Sequence, residues 1–248
     1  MELLETSGIT KSYDSREIIR NISIRLKEGE LVSLLGLSGS GKSTLLNIIS
    51  GLIRPDEGKV FLSGTDITGK PGHVSYMLQK DLLLEHKRVI DNVALPLLIR
   101  GMKKEEAREK ADPLFEQFDL SGTQMLYPSQ LSGGMRQRAA LLRTYLGSRG
   151  VILLDEPFSA IDMITRGQMH NWYLNIMQKI SLSTVLITHD VDEAILLSDR
   201  IYLLTGTPGE IHHEIRVDIP RSEREEFGYQ PEFSGYKRQI RDILQTTE

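Results

Sequence analysis

The chain has 248 residues, of which 40% are hydrophobic and 26% are charged, with a net charge of −4 and no cysteine. This composition is ordinary for an α/β protein; it excludes disulfides and thiolate metal sites, and it gives no reason to expect a nucleic-acid groove. No apolar run is long enough to span a bilayer, and the start of the chain lacks the basic and apolar regions of a signal peptide, so we expect membrane contact only through a partner.

The first predicted elements are two antiparallel strands at residues 3–13 and 18–26, joined by a turn at Asp14 and Ser15. Apolar and polar residues alternate in the second strand, which is the period of a half-buried strand. Tyr13 stands just before the turn. It is either an aromatic residue at a strand edge or a platform for an adenine ring, and its position alone favours the first interpretation.

A glycine-rich loop follows an apolar run at residues 31–35 and precedes a helical pattern at residues 45–49. This loop fits the phosphate-binding motif G-x-x-x-x-G-K-[ST], and the strand and helix around it argue against a glycine turn that binds nothing. In the motif the lysine reaches the β- and γ-phosphates and the first hydroxyl takes one Mg²⁺ position. The residues that would hold the nucleotide are Gly36, Ser38, Gly39, Ser40, Gly41, Lys42, Ser43 and Thr44.

The middle of the chain is predicted to be helical. Short strands at residues 59–63 and 73–78 end at Gln79, which by itself is usually a solvated polar residue. Helical patterns then cover residues 89–99 and 103–118; Pro96 should bend or split the first, and Pro113 should break or kink the second. We therefore expect a helical lobe, about residues 80–147, inserted into an α/β core.

A second glycine pair opens the last helix of this lobe. Ser132, Gly133 and Gly134 precede a helical pattern that runs to about Leu146. A helix N-terminus of this kind is a ready anion site, separate from the first. The alternative is a serine cap after a glycine turn, and it would prevail for an isolated Ser-Gly-Gly.

Residues 151–154 are fully apolar and lead to Asp155 and Glu156. Such a strand is typical of the centre of a parallel sheet, whose carboxyl edge is where ligands bind. One acid would hold Mg²⁺ through water and the next would act as general base. His189 follows the next strand, residues 184–188, at the same edge, where it is either structural or catalytic.

Two strands at residues 200–205 and 210–217 complete the predicted sheet. Residues 221–248 form a charged tail with a short amphipathic helix.

In this order the motifs resemble the ATP-binding subunit of an ABC transporter over nearly the whole chain. They are Walker A at residues 36–44, the Q-loop at Gln79, the signature at residues 131–138, Walker B with its acid at residues 151–157, the D-loop Ser159-Ala160-Ile161-Asp162 and the switch His189. The resemblance implies a P-loop NTPase core with a mostly parallel sheet, an N-terminal antiparallel β subdomain and an inserted α-helical subdomain. It assigns residues 1–220 to the ATP-binding domain and 221–248 to the tail.

The resemblance also implies the chemistry. ATP and Mg²⁺ are the expected cofactors; Tyr13 would stack on adenine, while Ser43, Gln79 and Asp155 would hold the metal. The implied catalytic residues are Lys42, Gln79, Glu156 and His189. Two copies would sandwich two ATP molecules head to tail, each between Walker A of one chain and Ser132, Gly133 and Gly134 of the other. The implied partners are integral membrane permease subunits and a solute-binding protein, with no nucleic acid, and the implied location is the cytoplasmic face of the cell membrane, as a peripheral subunit.

A narrower resemblance rests on residues 207–211 and 219–221 and on the length. These are similar to importers of nitrate, taurine, aliphatic sulfonates and thiamine precursors. The chain departs from that group at Glu85-His86-Lys87, where a Pro-Trp pair before a basic residue is usual, and at Ile161, where Leu is usual.

Other classes stay open as alternatives: the ATPase of a different ABC importer, a non-transport ABC ATPase, a small-molecule kinase and an inactive regulatory module. A non-transport ABC ATPase usually shows tandem cassettes or a long coiled coil. A kinase would lack the signature together with His189, and an inactive module would lack Lys42 or Glu156.

Overall fold

The computed structural model describes residues 2–159, 161–180 and 182–246. Its strands in chain order are β1 (Glu2–Tyr13), β2 (Arg16–Ile22), β3 (Arg25–Lys27), β4 (Leu31–Gly36), β5 (Glu57–Leu62), β6 (Thr65–Asp66), β7 (Ser75–Met77), β8 (Val151–Asp155), β9 (Ser183–Thr188), β10 (Arg200–Thr205) and β11 (Glu210–Arg216). Its α-helices are α1 (Lys42–Ile49), α2 (Val89–Val93), α3 (Leu95–Ile99), α4 (Lys104–Gln117), α5 (Gly133–Leu146), α6 (Met163–Lys179), α7 (Val191–Leu197), α8 (Arg224–Phe227) and α9 (Pro231–Thr246).

The central sheet has the order β11-β10-β4-β9-β8-β7 within the described residues. Only its edge pair, β10 with β11, is antiparallel; the other pairs are parallel. Strands β4, β8 and β9 are buried along their whole length, which explains their nearly continuous apolar sequence. Because these strands are parallel, the loops after Gly36, Asp155 and Thr188 leave from one edge of the sheet.

A second, antiparallel sheet is built around β1, which pairs with β2, β3 and β5. The predicted strand at residues 18–26 is wrong in one respect, because it is divided into β2 and β3. Asn21 has a positive φ of 49°. Beyond it, the Thr6 hydroxyl donates to the Ile22 carbonyl and accepts from the Ile24 amide. A side chain thus takes the place of the regular ladder at this point.

The helical lobe contains α2 to α5. Its first helical pattern is split at Ala94, and Pro96 lies in the first turn of α3, where the missing N–H costs no helical hydrogen bond. Helix α4, in contrast, runs unbroken through Pro113, so of the break or kink predicted there the break is wrong. Ala107, Ala111 and Phe115 are completely buried on both sides of the proline. Their packing outweighs the single lost backbone bond.

The C-terminal segment is docked on the core. Phe227, Phe233 and Ile240 are buried in a cluster with residues of α7 and β10. Arg224 is only 1% exposed; it donates to the Ile219 carbonyl and to Asp199 Oδ1 at 3.0 Å each. Helix α9 is amphipathic, as predicted for the tail, but it covers sixteen residues.

Across the described ranges, no helix combines the length and the apolar character needed to cross a membrane.

Candidate active site

The phosphate loop is held tightly between strands β2, β4 and β10. Gly41 has φ +92°, and a Cβ there would lie 2.3 Å from Ile19 Cγ2. A Cβ on Gly36 would lie 2.2 Å from the Leu204 carbonyl oxygen. Only glycine fits these two positions, so the loop can turn sharply and present its backbone N–H groups at the N-terminus of α1.

Lys42 and Ser40 point polar atoms into this loop. The Lys42 side chain is 6% exposed, and its Nζ donates to the carbonyls of Gly36 at 2.8 Å and Leu37 at 2.7 Å. An ammonium has three donors, so one N–H remains for a phosphate oxygen. Burial lowers the pKa of Lys42, an effect opposed by Glu156 and Asp155. Ser40 Oγ is buried and has no hydrogen-bond partner among the described residues, as expected where a polar ligand is to bind.

Asp155 faces the first residues of α1 from the end of β8. Its Oδ1 lies 3.5 Å from Ser43 Oγ and its Oδ2 accepts a hydrogen bond of 3.1 Å from Tyr76 Oη. Burial raises the pKa of Asp155, while the hydrogen bonds from Tyr76 and Ser43 oppose the rise. A hydroxyl and a carboxylate beside a phosphate loop are the hard oxygen donors that suit Mg²⁺, which commonly takes one or two carboxylates plus phosphate oxygens. The residues present therefore fit this metal.

Glu156, Gln79 and His189 meet beside that acid. Gln79 Nε2 donates to Glu156 Oε2 at 3.3 Å, and His189 Nδ1 lies 3.1 Å from Glu156 Oε1. Gln79 Nε2 also donates to Ser159 Oγ at 3.2 Å. Two of the predicted catalytic side chains, Gln79 and His189, thus converge on the carboxylate of a third, Glu156.

The backbone of Glu156 is in the left-handed region, with φ 45°. For a residue with a side chain this conformation costs about 1–3 kcal/mol, and it persists where the surroundings enforce it. Here the Glu156 N–H donates to the Ile187 carbonyl at 3.0 Å, and the Glu156 carbonyl accepts from Ser159 Oγ at 2.9 Å. These two hydrogen bonds hold the left-handed turn that carries the Glu156 carboxylate.

Two cavities flank these groups. One of about 520 Å³ lies against the phosphate loop and is lined by Arg16, Leu37, Ser38, Gly39, Ser40, Leu204, Thr205, Gly206, Thr207 and Leu244. The other, of about 630 Å³, opens beside the catalytic side chains and is lined by Gln79, Lys80, Asp81, Leu82, Leu83, Glu85, Arg136, Gln137, Glu156, Ser159 and His189.

Tyr13 ends β1 as an exposed ring. Its side chain is 43% exposed, and Lys11 Nζ lies 5.5 Å from the ring centroid. Lys11 is itself paired with Asp56 at 2.6 Å. The ring therefore has room for a stacked base, with a cation anchored close to it.

The signature residues form a separate site. Ser132 caps α5 by accepting from the Met135 N–H at 3.3 Å, and Gly133 and Gly134 are the first residues of the helix. Within the described ranges, no hydrogen bond joins these three residues to the phosphate loop. In the D-loop, Asp162 caps α6, whereas Ala160 lies outside the described residues.

Sequence reasoning missed the contacts of two residues, Tyr76 and Arg136. Tyr76 carries no motif, and only the fold brings its hydroxyl to Asp155. Arg136, named in the signature without a role, pairs with Asp81 at 2.9 Å and Glu85 at 2.7 Å. The unusual Glu85 thus ties the segment after Gln79 to the signature helix.

Comparisons with known proteins agree with this geometry. The protein-family model described as ABC transporter matches residues 19–159. The formylaminopyrimidine import ATP-binding protein ThiZ of Halalkalibacterium halodurans is 41% identical over 98% of this chain and 96% of its own. The nitrate import ATP-binding protein NrtD of Synechocystis is 35% identical over 93% of this chain and 89% of its own.

Solved structures show the same fold. The dimeric bacterial ABC transporter cassette MJ0796 superimposes with a TM-score of 0.74 at 29% identity, covering 88% of this chain and all of that one. Its post-hydrolysis state, bound to ADP and phosphate, matches equally well, with a TM-score of 0.74. The predicted P-loop NTPase fold is confirmed. The chain belongs to the ABC transporter family, as an ATP-binding subunit that hydrolyses ATP.

Proposed function

We propose that this subunit powers an importer for a small solute, with hydrolysis carried out by the side chains that meet at the carboxyl edge of the central sheet. The observation that carries the proposal is the convergence of Gln79 and His189 on Glu156, next to Asp155 and Ser43. Relatives of this chain are named for the import of formylaminopyrimidine, nitrate and aliphatic sulfonates. We therefore infer a solute of that kind (nitrate, a sulfonate, taurine or a thiamine precursor), delivered by a solute-binding protein.

In this proposal the loop holds the triphosphate. The N–H groups at the start of α1, the third donor of Lys42 and the buried Ser40 hydroxyl bind phosphate oxygens. Ser43, Asp155 and Gln79 would hold Mg²⁺. When bound, the ion would neutralise negative charge that develops on the phosphates. Tyr13 stacks on the adenine.

Glu156 then acts on water. Its carboxylate accepts a proton from the attacking water. His189 and Gln79, which already contact Glu156, orient that water and the γ-phosphate. The left-handed turn keeps the carboxylate at this position before substrate arrives. Nucleophile and base are thus positioned by the fold, which is the main contribution a protein makes to phosphoryl transfer.

A single substitution tests the role of Glu156. Glu156→Gln keeps the shape of the side chain and one acceptor oxygen but cannot take a proton, so ATP binding should persist while phosphate release falls by about 10²- to 10⁴-fold. Asp162→Asn is the control: it also removes one negative charge, but from the residue that caps α6, outside this cluster. Turnover by Glu156→Gln within about threefold of wild type would rule out the assignment.

We also propose that the permease docks beside residues 79–92, a segment that borders the 630 Å³ cavity. Gln79 and Leu82 of this segment line the cavity, and Leu82 is 53% exposed. Nucleotide state could pass from Gln79 to a helix seated there. Because the chain has no cysteine, Leu84→Cys would give a single reactive thiol. Crosslinks to the permease should form from Leu84→Cys and not from Tyr229→Cys on the C-terminal segment; the reverse pattern would refute this docking site.

A further inference from the structure

The carboxylate of Asp155 has a different neighbour for each of its oxygens. Oδ1 lies 3.5 Å from Ser43 Oγ, and Oδ2 accepts a 3.1 Å hydrogen bond from Tyr76 Oη. A carboxylate at a strand end can rotate about its last bond, which exchanges its two oxygens. The Tyr76 hydroxyl opposes that rotation because it fixes one of them.

Tyr76 is well placed to fix it. It lies on β7, which pairs in parallel with β8 so that Tyr76 is next to Leu153, two residues before Asp155. Its ring is partly buried against the apolar cluster that contains Leu45 and Leu46 of α1. The ring therefore packs on the same cluster as the helix that follows the phosphate loop, and its hydroxyl reaches the acid of the neighbouring strand.

We propose that Tyr76 is a positioning residue for Mg²⁺: its hydroxyl holds Oδ2 of Asp155 and so keeps Oδ1 directed at Ser43, where the metal is to bind. The inference rests on the metal role of Asp155 in the proposed function. Groups that orient a metal ligand through a hydrogen bond typically change metal affinity by about 10- to 100-fold when they are removed. Because Asp155 would act through a water molecule, we expect the lower end, about tenfold.

Tyr76→Phe removes the hydroxyl and keeps the ring against its cluster. With a non-hydrolysable ATP analogue bound, Mn²⁺ affinity measured by electron paramagnetic resonance should fall about tenfold. Affinity for the analogue in EDTA should stay within about twofold of wild type, because no phosphate contact is lost. In ATPase assays the Mg²⁺ concentration for half-maximal rate should rise, while kcat at saturating Mg²⁺ returns to within about threefold of wild type.

Tyr202→Phe is the matched control. Tyr202 is also a strand tyrosine with a bonded hydroxyl; it is buried, but its partners are the Arg25 N–H and Arg200. This variant should leave Mn²⁺ affinity unchanged. If Tyr76→Phe behaves in the same way, or weakens binding equally with and without metal, the inference is overturned.

Asp155→Asn separates this inference from the proposed function. If that variant keeps its Mn²⁺ affinity, Asp155 is not a metal residue, and the proposed function fails at this position together with the inference. If Asp155→Asn loses Mn²⁺ affinity and Tyr76→Phe does not, only the inference about Tyr76 fails.

Discussion

Lys42 and Tyr13 would meet opposite ends of the same nucleotide, and their surroundings differ. Lys42 is almost fully buried and already holds two loop carbonyls, whereas the Tyr13 ring is 43% exposed. A charge in a buried loop interacts strongly with phosphates because water screens it little. An exposed ring contributes mainly by stacking, which is worth about 1–3 kcal/mol.

These differences predict which of two substitutions weakens nucleotide binding more. Lys42→Ala should weaken Mg²⁺-ATP binding more than Tyr13→Ala does, and it should weaken ATP and GTP alike. Tyr13→Phe is the matched control for the ring and should bind nearly as wild type, because it keeps the stacking surface. Calorimetric titration checks this order. A larger loss from Tyr13→Ala than from Lys42→Ala would mean that the phosphate and base contacts are ranked wrongly.

Glu193 on α7 is a buried acid, and His170 on α6 is a buried histidine near it. Burial raises the pKa of Glu193 to about 8, partly opposed by the hydrogen bond from the Thr188 hydroxyl. Burial lowers the pKa of His170 to about 4. Nε2 of His170 lies 3.9 Å from Oε2 of Glu193, too far for a hydrogen bond. Near pH 7 both groups are therefore mostly neutral.

The raised pKa of Glu193 makes stability fall with pH. An unfolded glutamate titrates near about 4.3, so the protonated form favours the fold fully below that pH, and this contribution is lost as pH rises towards about 8. Glu193→Gln can accept from Thr188 but never ionises. Its melting temperature relative to wild type should therefore rise from pH 5 to pH 8.5. Parallel melting curves across this range would contradict the assigned burial of the acid.

Among the elements, the C-terminal helices were the least readable from sequence. Helix α8 places Phe227 in a fully buried position, where its ring meets Phe233 edge-on at 5.6 Å between centroids. The next exposed aromatic, Tyr229, is 93% exposed. Buried aromatic rings therefore pack the C-terminal segment against the core.

Phe227→Ala should destabilise the protein by about 3–5 kcal/mol, since it removes a buried ring and leaves a cavity. Tyr229→Ala, two residues away, should change stability by no more than about 0.5 kcal/mol. Urea unfolding of the two variants and wild type measures both. Equal, small changes in the two variants would show that the segment is not packed on the core.

The sequence predicts best those elements whose structure is decided by their own residues. Residues 151–154 are wholly apolar and form the buried strand expected, and the loop before α1 is fixed by its glycines. Two predictions failed where distant packing decides: α4 continues through Pro113, and a threonine side chain divides residues 18–26. The Tyr76–Asp155 bond was also beyond prediction, because it depends on strand order, which local pattern does not encode.

In the molecule as a whole, the two helix N-termini predicted to bind anions stand apart. Lys42 at α1 and Ser132 at α5 belong to separate sites, and no hydrogen bond of the described residues links them. We propose that each ATP is bound between α1 of one copy and α5 of a second, head to tail. The dimeric MJ0796 cassette, 29% identical, supports an assembly of two copies.

Mixing two inactive variants tests this shared site most directly. Lys42→Ala damages the phosphate loop, and Ser132→Arg places a bulky charge at the start of α5; neither variant alone can form an intact shared site. In a mixed dimer both lesions fall in one site, and the other has an intact Lys42 and an intact Ser132. Mixing should therefore restore part of the ATP hydrolysis. No recovery, with mixed dimers shown to form, would contradict the shared site.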